Sequence, residues 1–169
     1  MKDNQPINAV AAYLGALSVP MSCGDIHIED GATAQAIANG AGYTKVTMFN
    51  TATGHNGFGT RVIPDKANSR ILMTDPGLYF VSFVLCGFLG TNSVTFRAAI
   101  FLDANEIHQV HGMAKFGTAA DTSELVGAGL VEAPAGGEEL TLRLRHNDGA
   151  PVNFTAVYSS IVVQMKQRY

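Results

Sequence analysis

Charge is what this chain of 169 residues has least of: 15% of it is Asp, Glu, Lys or Arg, against 47% apolar residues. A solvated monomer covers itself with charged side chains, so the shortage leans toward assembly, because buried subunit interfaces are charge-poor. Basic blocks are missing too, and the net charge is −3. Neutralising phosphates takes clustered Lys and Arg, so nucleic-acid binding is disfavoured. No apolar run is long enough to span a bilayer. Tryptophan is absent and cysteine occurs twice. Cys23 and Cys86 lie far apart in apolar stretches and read as free buried thiols rather than a disulfide; two cysteines do not fix the compartment. Gly-x-Ser-x-Gly does not occur, nor does a glycine-rich phosphate loop ending in Gly-Lys-Ser/Thr, so the expectation is no enzyme and no cofactor. There is no fixed-period repeat and no collagen-like Gly-x-y stalk. A secretory signal is not expected: Ile7 to Pro20 is apolar, but only Lys2 is basic and Asp3 follows it.

What is present is a texture of short apolar runs and glycine-containing turns, which favours an all-β domain. Its centre is the turn Asp75-Pro76-Gly77 followed by Leu78 to Phe88. Proline presets φ and glycine permits φ > 0, and the aromatic and β-branched residues after them read as a strand. One face would carry Leu78, Phe80, Ser82, Val84, Cys86 and Phe88, the other Tyr79, Val81, Phe83 and Leu85. Both are apolar, whereas a half-exposed antiparallel strand alternates. One cover is the domain core. The other is either the chain's own loops or N-terminal segment, or a neighbouring subunit.

Residues 1–21 read as a separate arm. Ile7, Val10, Leu14 and Leu17 fall at helical spacing, with Tyr13 among them. An apolar segment with little core of its own must dock, either under its own domain or on a partner. From residue 22 to 169 strands and turns take over. Candidate strands are Asp25–Glu29, Gln35–Ala38, Tyr43–Phe49, Arg61–Ile63, Arg70–Met73, Val94–Leu102, Ile107–Phe116 and Ser123–Val131, with residues 50–59 a loop and Pro64-Asp65-Lys66 a turn. Glu139 to His146 alternates most cleanly, Leu inward and Thr and Arg outward. Phe154 to Met165 closes the chain, with neither face strongly polar. A wet strand beside two doubly apolar ones fits an outer sheet meeting water and an inner sheet meeting neighbours. About eight strands in two antiparallel sheets make a jelly-roll sandwich.

Gly77-Leu78-Tyr79-Phe80-Val81-Ser82-Phe83 resembles the Gly-x-Tyr-x-Phe-x-aromatic strand of the jelly-roll superfamily that includes tumour necrosis factor and the globular heads of the first complement component. Val81 stands where an aromatic is usual. Val46 to Asn50, Phe58, Ile71 and the turn into strand Gly136–Leu144 resemble further family positions, and Tyr158-Ser159-Ser160-Ile161-Val162 is similar to the closing segment, with Ser160 in a glycine place. The resemblance runs from about Asp25 to Met165. It implies compact homotrimers packed through the inner sheet, with Tyr79, Val81 and Phe83 in the sandwich core and Phe80, Val84, Tyr158 and Val162 toward the subunit interface. Without a stalk or signal the chain looks more like a virion protein of a tailed bacteriophage. That analogy implies a capsid decoration protein on the outer surface of the particle, assembled in the host cytoplasm and anchored to the major capsid protein or another virion protein by Ile7, Val10, Tyr13, Leu14 and Leu17. The alternatives are a fibre head gripping a host-surface glycan or receptor through loops 50–60 and 114–123, a secreted trimeric ligand-like module, or a cupin-type metalloenzyme.

Metal chemistry is weakly signalled. His108 and His111 are three apart, which places them on opposite faces of a strand. His27, His55 and His146 are scattered. Asp25, Glu29 and Asp30 lack the one-three-five spacing of a calcium loop and read as a solvated acidic turn. Asn153-Phe154-Thr155 is a glycosylation pattern that matters only in a eukaryotic secretory setting.

Overall fold

The computed structural model describes residues 22–29, 34–51, 54–90, 93–117 and 122–169. They form twelve strands: β1 (Cys23–Glu29), β2 (Ala34–Ile37), β3 (Thr44–Lys45), β4 (Gly54–Phe58), β5 (Val62–Asp65), β6 (Arg70–Met73), β7 (Gly77–Leu89), β8 (Val94–Leu102), β9 (Asn105–Phe116), β10 (Ser123–Ala133), β11 (Glu138–Arg145) and β12 (Val152–Arg168). Sheet I runs β10-β7-β12-β1-β4, with β2 also on β12. Sheet II runs β5-β6-β11-β8-β9, with β3 also on β11. All strand pairings are antiparallel. From β6 onward the chain repeatedly crosses between the sheets, and the molecule is a two-sheet jelly-roll sandwich.

The pleat explains which faces meet. On β7 the odd residues Tyr79, Val81, Phe83, Leu85 and Leu89 are buried, as are Phe154, Ile161, Val163 and Met165 of β12. Sheet II answers with Phe96, Ala98 and Ile100 of β8 and Leu140, Leu142 and Leu144 of β11. Each large apolar side chain buried is worth about 1.5–3 kcal/mol. A one-residue slip of β7 would exchange its whole inward set for the even residues; since both sets are apolar, the ladders to β10 and β12 are what hold the odd set inward. At one end of the core Phe96, Phe116 and Phe154 meet edge to face, with centroids 5.5, 5.1 and 5.7 Å apart.

Several expected elements differ. Tyr43–Phe49 is a strand only at Thr44–Lys45. Val46 still donates its N–H to the Leu142 carbonyl at 2.9 Å, but Asn50 then bonds back to Thr47, and the turn buries the neighbours Met48 and Phe49 together, which a strand cannot do. The loop at 50–59 contains an edge strand, β4. Its pairing with β1 overrides a sequence poor in strand formers. Pro64 lies within edge strand β5, where no ladder donor is needed, and the turn comes at residues 66–69, capped by the Asp65 carboxylate. The described residues hold twelve strands rather than about eight. Thr141 on β11 is buried rather than wet. The arm, with Ile7, Val10, Tyr13, Leu14 and Leu17, lies outside the described residues, as does Asp30.

Candidate functional site: the outward face of sheet I

With the odd residues of β7 turned inward, its even residues form the outward face of sheet I. Strand register lines them up with their neighbours. One row reads Leu130, Phe80, Gln164, Cys23, Phe58; the next reads Ala128, Ser82, Val162, Asp25, Asn56; a third reads Val126, Val84, Ser160, His27, Gly54. Phe58, Phe80, Val126, Leu130, Tyr158 and Val162 on this face are each between 37% and 63% exposed in the single chain. These make up most of the exposed large hydrophobic side chains among the described residues. An apolar patch spread across a whole sheet marks an interaction surface.

Phe80, Val84, Tyr158 and Val162 all lie on this one face. Tyr158 reaches it through a bulge. The β12–β7 register shifts between Ala156 and Tyr158, so Ala156 points into the core while Tyr158 points out, although alternation alone puts them together. Ser159 is then buried, and its hydroxyl lies 3.3 Å from the Cys86 backbone N–H.

Polar side chains interrupt the apolar rows at Ser82, Gln164, Ser160 and Asn56, and Glu124 and Glu132 of β10 stand at the flank. His27 Nδ1 lies 2.5 Å from Asp25 Oδ2, both side chains about one-fifth exposed. The imidazole lies across Gly54, where a β-carbon would run into the ring. Gly54 therefore has a packing reason that its loop-like sequence hides. Lys166 Nζ sits 5.6 Å from the Phe80 ring centroid, at the margin of the patch. A notch of about 130 Å³ opens between Phe58 and Val162, lined also by Cys23, Asp25 and Asn56.

Both cysteines are free, but they stand half-buried on this face rather than inside the core. Burial raises the Cys86 thiol above its ordinary value, and the charge of Glu124 on β10 raises it further. It therefore stays protonated and unreactive at neutral pH. His108 and His111 do not converge: His111 Nδ1 is 2.7 Å from the His108 carbonyl, and both are exposed. Of the loops at 50–60 and 114–123, residues 52–53 and 118–121 lie outside the described residues.

No protein-family model matches the sequence, and no curated relative does. Solved structures match the fold. The Eiger TNF structure from S. frugiperda superposes with a TM-score of 0.57 at 10% identity, covering 89% of this chain and 95% of that one. The globular domain of zebrafish complement 1qA gives 0.53 at 10% identity, covering 87% and 99%. PRD1 vertex protein P5 gives 0.52 at 14% identity, covering 85% and 96%.

Proposed function

We propose that this chain is a structural virion protein. Residues 22–169 form the head, and three copies pack through the outward faces of their sheets I. Residues 1–21 attach the head to a capsid or fibre base on the outside of the particle. The supporting observation is the apolar face itself, which runs from Leu130 on one side of sheet I to Phe58 on the edge strand β4. A patch that reaches both edges of a sheet suits a head-to-tail ring, where one side of each copy meets the opposite side of the next. Compact trimers are what the resemblance to the superfamily implies, and a vertex protein is among the folds this chain is similar to.

Three arms acting from one head would multiply a weak attachment into a firm one. The test compares the full chain with residues 22–169. Both should have the mass of a trimer in solution, and only the full chain should bind particles assembled without this protein. A truncated head that decorates such particles as well as the full chain overturns the anchoring.

A further inference from the structure

On the opposite sheet, facing away from the candidate interface, Arg97 of β8 and Arg145 of β11 stand directly across from each other in the ladder. Like charges placed opposite on a sheet destabilise it unless an anion lies between them. Arg145 is committed: Nη1 donates to the Ala41 carbonyl at 3.1 Å, and its guanidinium carbon lies 4.7 Å from the centroid of the Tyr43 ring. That ring meets Phe101 edge-on, and Phe101 is capped in turn by Arg143 at 4.3 Å. The stack holds Arg145 in place. Arg97 has neither a hydrogen bond nor an ion pair with any described residue, and it is half-buried. The two line a cleft of about 280 Å³ with Thr95, Met113, His146 and Asp148. The one carboxylate there, Asp148, accepts from the Thr95 backbone N–H at 2.8 Å.

We propose that this cleft is an oxyanion-binding site, in which Arg97 and Arg145 together grip a carboxylate, sulfate or phosphate group. Two planar guanidinium forks offer paired donors to such a group, and Arg97 is the fork with no internal use. His146, buried and 3.1 Å from the Ile37 carbonyl through Nε2, lies behind the pair. The cleft has room for more than a bare ion, and Met113, largely exposed at its edge, offers an apolar wall to whatever carries the anion. The site is separate from the proposed contact between copies, because it lies on the other sheet.

Calorimetric titration of the full chain with glucuronate, glucose and inorganic sulfate, at constant ionic strength, tests it. Glucuronate or sulfate should bind saturably and glucose should not. Tighter binding of glucuronate assigns a sugar-borne carboxylate; tighter binding of sulfate assigns a free inorganic anion. Arg97→Gln should weaken binding about tenfold or more, as expected for loss of a charge-assisted fork, with a melting temperature no lower than wild type, because Arg97 has no hydrogen bond or ion pair to lose among the described residues and its removal relieves the like charge opposite Arg145. Asp148→Asn, which keeps the acceptor for Thr95 and removes the competing charge, should tighten it. The absence of saturable binding by either anion, or equal affinity in wild type and Arg97→Gln, overturns the proposal.

Discussion

At the scale of single residues, Tyr79 shows how one polar atom is reconciled with the core. Its ring is fully buried, and its hydroxyl donates to the Asp75 carbonyl at 2.6 Å, tying the central strand to the turn that launches it. Asp75 itself pairs with Arg61 at 2.9 Å and Arg168 at 3.3 Å, so the turn also gathers the far end of β12. Burial raises the Tyr79 phenol, and the Asp75 charge adds to the rise; burial raises Tyr43 as well, helped by its hydrogen bond to Glu106. The unfolded phenols release their protons near pH 10.0, the folded ones above it. The stability linked to them is therefore fully present below that pH and lost as pH rises through the folded values. Tyr79→Phe should cost about 1 kcal/mol at neutral pH, the worth of one internal hydrogen bond. It should also make the alkaline decline shallower. Urea melts at neutral pH and above pH 10 check both, and a decline as steep as in wild type would remove Tyr79 from this account.

At the scale of elements, strands were legible where composition and burial agree. β7, β8 and β11 carry alternating or continuous apolar residues that have one good place to go. The Gly-x-Tyr-x-Phe-like start of β7 likewise turned Tyr79, Val81 and Phe83 inward as the resemblance implies. Strand β4 was not legible, because Gly54, His55, Asn56 and Gly57 have no intrinsic reason to extend; their reason is β1 beside them and the His27 ring above Gly54. The β12 bulge was not legible either, since an extra residue leaves no mark in composition. Arg97 and Arg145 read only as the polar side of two strands; that they face each other depends on the register between β8 and β11.

The glycines that interrupt β9 and β10 also gain a reason. A β-carbon at Gly129 would meet the Val110 side chain and the Gln109 carbonyl of β9 at 2.9 and 3.1 Å, and one at Gly112 would strike the Val126 carbonyl. These residues let β9 and β10, which belong to different sheets, pass close and shut one side of the sandwich. Gly129→Val should therefore destabilise by about 1–3 kcal/mol, the usual cost of overpacking. A denaturation midpoint equal to wild type would mean that the two strands are free to separate there.

At the scale of the whole molecule, the distribution of apolar surface carries the case for assembly, and Val162 is the place to test it. The side chain is 39% exposed in the single chain, so a charge there leaves the sandwich core untouched. In a trimer packed through this face the same charge would be taken out of water with no partner. Its register neighbour on β1 is Asp25, so a carboxylate would also meet its own sign. Breaking solvation without pairing costs about 3–5 kcal/mol at a buried site, and a closed ring meets that cost at three interfaces. With the proposed packing, Val162→Glu should therefore run as a folded monomer at a concentration at which the wild type should have the mass of a trimer. Val162→Lys should be milder, because Asp25 can answer its charge. Far-ultraviolet circular dichroism separates dissociation from unfolding, and light scattering gives the mass. If the glutamate variant keeps the wild-type mass, the outward face of sheet I is not where copies meet, and the apolar rows of β7, β10 and β12 belong to contact with something other than this chain.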